Sequence, residues 1–435
     1  MVTAKEKLFF DAVVVGGGIA GVEAAINIGN NNLKVLLIEK DLTLGGKMIL
    51  LSKVFPTLDC GACITTPKLS EVARHSNITI LTFTEVKDIN KQDKHYFKLN
   101  ITKKARYVEE ENCTGCQLCE DACPVVVPDQ YQYGLVGRKA AYIPFNIASP
   151  RIASIDIDNC TLCGACEKVC PTKCIDFTQT DENYEIVAKT IIMATGFQLF
   201  DPVKIPRLSF ESKNVITSME MERLLAPTRP YNHVIRPGDG KGPDKLAYVL
   251  CTGSRDHTVG NPMCSQICCM YSIKQAQLLM GALPMADVTI YYIDIRSFGK
   301  GFEEFYEQAK GMGVNFVKGK IGEISEKENG DLVLRYEDII TGKLKEATHD
   351  LVVLSVGALA NQEPSYLFPE GQWKKDIYNY AYQKDLFYTP SLSSIEGVFL
   401  AGTTSGPMDI PDSILSAGSA SMEAIRYLKQ ASKEL

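Results

Sequence analysis

No stretch of this 435-residue sequence is apolar for long enough to cross a bilayer as a helix. The N-terminal run M-V-T-A-K-E-K-L-F-F-D lacks the apolar core and cleavage site of an export signal. No tract is of low complexity. A positive excess is also missing: 46 Lys and Arg face 52 Asp and Glu, for a formal charge of −6. That balance lacks the basic face which nucleic acid requires. Cysteine, by contrast, is plentiful at fifteen. Without an export signal, so many thiols point to metal ligation in a reducing cytoplasm, not to disulfides. Hydrophobic residues at 45% and charged residues at 23% are ordinary for globular proteins, and the length predicts two to four domains.

Eight of the cysteines fall in one doubled pattern. C-T-G-C-Q-L-C-E-D-A-C-P carries Cys113, Cys116, Cys119 and Cys123; C-T-L-C-G-A-C-E-K-V-C-P carries Cys160, Cys163, Cys166 and Cys170. Each half is the C-x2-C-x2-C-x3-C-P run of a two-cluster ferredoxin, whose fourth Cys ligates the other cluster. The expected ligand sets are Cys113, Cys116, Cys119 and Cys170 for one [4Fe-4S] cluster, and Cys160, Cys163, Cys166 and Cys123 for the second. Two zinc sites are the weaker reading, since zinc rarely takes four Cys per run twice over. Cys174 is read as a small buried residue and not as a ligand.

Phe9 to Val15 is an apolar, β-branched run that reads as a buried parallel strand. It enters G-G-G-I-A-G, where Gly16, Gly18 and Gly21 match G-x-G-x-x-G, and then a helix. The first glycine permits the turn, the second admits a pyrophosphate, and the third lets helix and strand pack closely. A second strand, Leu33 to Ile38, ends at Glu39, about 20 residues on, where a carboxylate meets the adenosine ribose. This combination predicts a dinucleotide site containing Gly16, Gly18, Ile19, Ala20, Gly21, Glu39 and Lys40. Gly45, Gly46 and Lys47 mark another close approach. Thr190 to Gly196 reads as a strand ending in Ala194-Thr195-Gly196. The whole resembles the two-dinucleotide flavoproteins of the glutathione and thioredoxin reductase type, which implies FAD. It also implies that Ile78 to Val86 is the strand whose end, Val86, meets adenine.

Between these landmarks lies D-C-G-A-C-I, with Cys60 and Cys63. Some flavin disulfide reductases place a redox pair here, but with C-x4-C spacing. The C-x2-C pair fits dithiol chemistry, half of a metal site, or two structural thiols.

The strands Tyr96 to Ile101 and Tyr184 to Met193 would pair if the residues between them were deleted. The ferredoxin unit is therefore read as spliced into the flavin domain. Its loop from Val125 to Ala153, with Tyr131, Tyr133, Arg138, Lys139 and Tyr142, is read as packing, with a docking surface as the alternative.

Phe200 to Lys245 reads as a Pro- and Gly-rich crossover, and Leu246 to Leu250 as the first strand of a second dinucleotide-type domain. Its glycine fingerprint is absent; the chain gives C-T-G-S-R-D instead. Cys251, Cys264, Cys268 and Cys269 then form C-x12-C-x3-C-C, the last three at the start of a helix expected over Ser265 to Met280, with 264 and 268 on one face. Four thiolates suffice for a further [4Fe-4S] cluster; four buried structural thiols are the alternative. On its own, Lys274 reads as an exposed helix lysine.

D-C-G-A-C-I-T-T-P-K, C-T-G-S-R-D and C-S-Q-I-C-C-M-Y-S-I-K resemble the A-type subunits of heterodisulfide reductases and their homologues in sulfur-oxidising prokaryotes. The resemblance covers almost the whole chain. It implies an α/β, thioredoxin reductase-like FAD-binding core with an inserted α+β two-cluster ferredoxin module. It also implies three [4Fe-4S] clusters, one held by Cys251, Cys264, Cys268 and Cys269. Lys274 would point towards the flavin N5, stabilising reduced flavin by its charge. The expected layout is flavin domain over 1–106, 181–200 and 358–435, ferredoxin insert over 107–180, and a degenerate second domain over 201–357. In the last part, Gly402-Thr403 replaces the usual Gly-Asp, and a helix from Ile410 aims its N-terminus at the flavin. The sequence shows neither the extra N-terminal domain nor the C-terminal ferredoxin domain of the largest family members, which brings it nearer the sulfur-oxidising form.

The activity so implied is electron transfer between thiol, disulfide or persulfide chemistry on B- and C-type partner subunits and a ferredoxin-, NAD- or quinone-linked acceptor, by flavin-based bifurcation or confurcation. Ferredoxin or a lipoate-carrier protein would be further partners, in a hetero-oligomer with a homodimeric core. The competing expectation is a free-standing NAD(P)H- or ferredoxin-dependent disulfide reductase using Cys60 and Cys63.

Overall fold

The computed structural model describes residues 7–93 and 95–434; most of the N-terminal stretch searched for an export signal lies outside them. β1 (Lys7–Val15) runs into α1 (Ile19–Gly29) and β2 (Val35–Ile38), and α2 (Gly61–Arg74) follows. The stretch expected as one strand is two: β3 (Ile78–Leu81) and β4 (Thr84–Lys91). The chain turns between them at Phe83, whose φ is +53°. β5 (Phe97–Lys103) pairs antiparallel with β4.

After β5 the chain leaves the sheet for the cysteine-rich insert, with short helices α3 (Leu118–Ala122) and α4 (Ala165–Val169) in contact with each other. It returns as β6 (Glu182–Met193). Glu182 pairs with Lys103, so the last residue of β5 meets the first of β6. The insert is thus a long excursion from one hairpin. Its stem is pinned by Arg106, almost fully buried. The guanidinium donates to Leu42 O at 3.0 Å, to Thr82 Oγ1 at 2.5 Å and to Glu110 at 2.8 Å. These bonds offset the cost of burying the guanidinium at Nε and Nη2, while Nη1 has no partner among the described residues. Farther out, the Ser149 amide donates to Thr43 Oγ1 at 2.8 Å and the Leu44 amide to Ser149 O at 2.8 Å, fastening the insert to the loop after β2.

The stretch read as a crossover already contributes a strand and a helix to the second domain. The crossover holds β7 (Val215–Thr217) and α5 (Ser218–Leu225), started by a capping box between Thr217 and Glu220. Next come β8 (Lys245–Thr252), α6 (Cys268–Ala282), β9 (Asp287–Tyr292), α7 (Phe302–Gly311), β10 (Asn315–Glu326), β11 (Leu332–Asp338), β12 (Lys343–His349) and β13 (Leu351–Val356). The chain ends on β14 (Val398–Leu400) and α8 (Ile410–Glu434).

In the first sheet β3, β2, β1 and β6 run parallel; β6 pairs with β5 along its first half and with β14 over its last three residues. The second sheet has the order β7-β13-β8-β9-β10-β11-β12, parallel up to β10 and antiparallel beyond. Parallel strands covered on both faces read as continuous apolar runs, as V-L-L-I and L-V-V-L-S-V do. Small side chains let α1 and α8 approach over the first sheet: Ala24 and Ala25 share a core with Ala417, Ala420 and Ala424. The first sheet presents the carboxyl ends of β1, β2, β6 and β14 to the cavity between the domains, where ligands bind in such folds, and the second domain reaches it through α5 and α6.

Candidate functional site

A cavity of about 650 Å³ opens where β1 meets α1 and reaches α6 of the second domain. That volume is ample for a large ligand. Gly16, Gly18, Ile19, Ala20, Glu39, Lys40, Gly46, Lys47, Val86, Ala194, Thr195, Gly196, Lys274, Thr403 and Ile410 line it. Gly21, Gly45 and Gly402 do not, and act behind the wall. A Cβ at Gly21 would come within 1.8 Å of Gly16 O, so its missing side chain lets α1 close on the turn. One at Gly45, φ +115°, would press on Ile49, and one at Gly402 on Ala20. Gly18 is different. It caps α1 with φ −71°, and a Cβ there would meet nothing within 4 Å. The side chain it lacks leaves open the end of a helix that offers free N–H groups, the cradle that phosphates require.

Glu39 is buried at the far side of this turn. Its carboxylate accepts from the Gly17 amide at 2.6 Å and from the Asp41 amide at 2.9 Å. Burial nevertheless raises its pKa to about 7. Lys40 pairs with Glu363, which also lines the cavity, at 2.9 Å. Lys47 donates to Phe197 O at 2.6 Å, and burial pulls its pKa down. Asp409 stands at the start of α8, where its Oδ1 accepts from the Asp412 amide at 2.9 Å. Burial raises that carboxyl, so the helix end expected to favour negative charge already faces an acid.

No motif in the sequence signals the ion pair in the cavity wall. Lys274 is buried, not exposed as helix position alone suggested, and pairs with Glu222, each side chain about 2% exposed. Glu222 also accepts from the Ser52 amide at 2.8 Å, the Ser52 hydroxyl at 2.6 Å and the Gln275 side chain. Burial alone would raise Glu222; Lys274 and these donors outweigh it and hold the carboxyl below its usual range. Burial pulls Lys274 down, offset in part by Glu222. Gln130, Tyr131, Tyr133 and Phe145 of the insert also line the cavity, so the long loop packs against the site. Tyr131 meets Phe145 edge-on at 5.4 Å.

The eight ferredoxin-type cysteines surround two smaller cavities. Cys113, Cys116, Cys119 and Cys170 line one, with Cys174; Cys123, Cys160, Cys163 and Cys166 line the other. The fourth Cys of each run has crossed to the other set. Among the described residues no three His, Cys, Asp or Glu are placed to hold a single metal ion. Four thiols around each small cavity are the donor set of an iron–sulfur cluster. The buried Cys174 stands 3.5 Å from the Cys170 sulfur.

The remaining set lies where a second glycine fingerprint would be. Cys251 ends β8 with φ +60°, at a break in its register with β13. Helix α6 starts at Cys268, later than expected, so Cys264 precedes it and does not share a helical face with Cys268. Cys268 and Cys269 are its first two residues. The four thiols nonetheless converge closely enough to act on one another electrostatically. Gly253, in the turn, is covered: a Cβ would lie 2.0 Å from the Phe200 ring. Cys60 and Cys63 lie at the start of α2 and are not part of the cavity wall.

Residues 11–59 match the FAD dependent oxidoreductase family and residues 109–174 the 4Fe-4S dicluster domain. The A-type subunit of the H(2):CoB-CoM heterodisulfide,ferredoxin reductase of Methanothermobacter marburgensis is 40% identical over 96% of this chain and 64% of its own length. The A-type subunit of the H(2)/formate:CoB-CoM heterodisulfide,ferredoxin reductase of Methanococcus maripaludis is 43% identical over 95% and 63%. Over almost its whole length the chain is similar to the A-type subunits of heterodisulfide reductases. It spans just under two-thirds of the length of these relatives. The fold is that of thioredoxin reductase from Lactococcus lactis, with a TM-score of 0.56 at 14% identity over 97% of this chain and 99% of that one. A bacillithiol disulfide reductase from Bacillus cereus gives 0.52 at 14%, over 96% and 98%. The family's motifs carried Lys274 into the site. Glu222, Ser52 and the insert tyrosines follow no motif and needed the tertiary structure.

Proposed function

We infer that this chain is an electron-transfer oxidoreductase subunit that holds FAD in the large cavity and [4Fe-4S] clusters in its three cysteine groups. FAD exchanges electrons in pairs or singly, and iron–sulfur clusters pass them one at a time. The observation that carries the reading is α6. It begins with Cys268 and Cys269 and brings Tyr271, Lys274 and Gln275 to the cavity wall. Five residues of helix separate Cys269 from Lys274, about 7.5 Å along the axis. The insert approaches the same cavity from the opposite domain through Tyr131 and Phe145.

The chain's own residues prepare the cavity. Gly18 and the first turn of α1 face the pyrophosphate, and Glu39 accepts from the ribose. Lys274, fixed by Glu222, keeps a cation in an apolar wall. Thiol, disulfide or persulfide chemistry belongs to B- and C-type partner subunits, with a ferredoxin or lipoate carrier as further partners and a ferredoxin-, NAD- or quinone-linked acceptor. Bifurcation or confurcation at the flavin, and a hetero-oligomer around a homodimeric core, complete the proposal. A free-standing NAD(P)H-dependent reductase is disfavoured because Phe200 fills the turn where a second pyrophosphate would lie.

Two measurements test this. Iron should approach about twelve per chain for three four-iron clusters, and a value near about eight removes the Cys251 group. NADH or NADPH added to the isolated protein should leave the flavin oxidised; rapid bleaching overturns the reading.

A further inference from the structure

Thirteen of the fifteen cysteines lie in or beside the three groups above, leaving Cys60 and Cys63. Cys60 is the N-cap of α2, a helix of 14 residues, with extended backbone at φ −71° and ψ 120°. Cys63 is three residues into the first turn, and its amide donates to the Cys60 sulfur at 3.3 Å. The neighbouring Cys60 sulfur raises the pKa of the Cys63 thiol. A Cys-x-x-Cys pair at a helix start has the spacing of thioredoxin-type redox pairs. The first turn of α2 holds no acidic residue that would repel an anionic disulfide or leaving group.

The other readings of the pair lose ground. A metal would need further ligands beyond these two thiols, and the zinc content measured below tests for one. A packing role does not suit Cys63, which is exposed. The pair is nevertheless tied to the cavity wall. Lys53 bridges to Cys60, the Val54 amide donates to Asp59 O at 2.8 Å, and Lys53, Val54 and Phe55 line the cavity.

We propose that Cys60 and Cys63 are a thiol–disulfide exchange site for small disulfides, opening to solvent beside the flavin cavity. The Cys60 thiolate attacks one sulfur of R–S–S–R′ and forms Cys60–S–S–R. The departing R′S⁻ takes the proton that Cys60 gave up. The Cys63 sulfur then attacks the Cys60 sulfur, closing Cys60–S–S–Cys63 and expelling RS⁻, which takes the Cys63 proton. The chain gives up two electrons and two protons, and the small disulfide becomes two thiols. This goes beyond the electron-transfer reading and does not depend on it, since exchange is measured without reducing flavin or clusters.

The test uses the full, cofactor-loaded chain, anaerobically, with oxidised glutathione as probe. The expected result is two glutathiones released per chain and a Cys60–Cys63 disulfide in the mapped peptides. C63S should stop with one glutathione held on Cys60, and C60S, whose serine still caps the helix, should release none. Flavin and iron content report that each variant is folded. Separate alkylation of both thiols in the oxidised wild type overturns the proposal. So does glutathione held on Cys63 with no second release, or a zinc ion present in wild type and lost from C60S.

Discussion

Removing one member of the Glu222–Lys274 pair exposes what holds the two domains around their cavity. Both side chains are about 2% exposed, and Glu222 reaches across to Ser52 of the flavin domain through two hydrogen bonds. K274M takes away the cation and leaves a buried carboxylate with only neutral donors. Breaking a buried pair this way costs about 3–5 kcal/mol. E222Q removes the acceptor and sets an amide against the ammonium. Lys274 is already pulled down by burial; without Glu222 it falls further and sheds its proton. Its folded pKa then lies far below its unfolded one, so the unfolded chain binds more protons and stability rises with pH. In wild type, Glu222 acts with the same sign in a lower pH window. Its lowered pKa gives stability above the ordinary carboxylate range, lost as pH falls through the folded value.

Amide hydrogen exchange on α5 and α6 is the suitable assay, because a chain of several domains need not unfold in one step. K274M should lower protection there by about 3–5 kcal/mol. E222Q should lose less at about pH 9 than at about pH 7. The double variant should cost less than the sum, by about 0.5–3 kcal/mol. Single variants that keep wild-type protection, or an E222Q loss independent of pH, would refute an ionised pair.

Three more outcomes follow from the same geometry. G18A should fold normally and bind FAD weakly, whereas G21A should lose stability first, since its Cβ meets the Gly16 backbone at 1.8 Å; calorimetry and flavin titration separate the two. FAD affinity should rise with pH through about 7, because ionised Glu39 is the better acceptor, and E39Q should flatten that profile. In the flavin-free chain the sign reverses: stability from protonated Glu39 is present below about pH 4.5 and lost as pH passes about 7. C170S should remove the cluster signal of the Cys113 group and spare that of the Cys160 group, read by EPR on the reduced protein.

The parts legible in the sequence are those fixed by local chemistry. Gly16 and Gly21 sit in a turn whose geometry demands them, and the doubled cysteine spacing already carries the crossing of Cys123 and Cys170. The pairing of β5 with β6 was legible because both strands are apolar and flank the insert. Where one element depends on another, the sequence is silent. Glu222 lies in a stretch that reads as a crossover, yet Thr217 and Glu220 cap a helix there, and only Ser52, Gln275 and Lys274 give its carboxylate a purpose. The start of α6 was misplaced because S-Q-I continues its pattern, while Gln266 takes φ +61° and keeps Cys264 outside the helix. Tyr131 and Tyr133 look like loop residues until the loop folds onto the flavin domain.

The central claim is that the cysteine groups and the FAD cavity form one conduit. Its most direct test is anaerobic addition of a limiting amount of dithionite to the purified chain, frozen at successive times for EPR while the flavin absorbance is followed. A single conduit predicts a cluster signal that decays as the flavin bleaches. A cluster signal that persists beside fully oxidised flavin would contradict it.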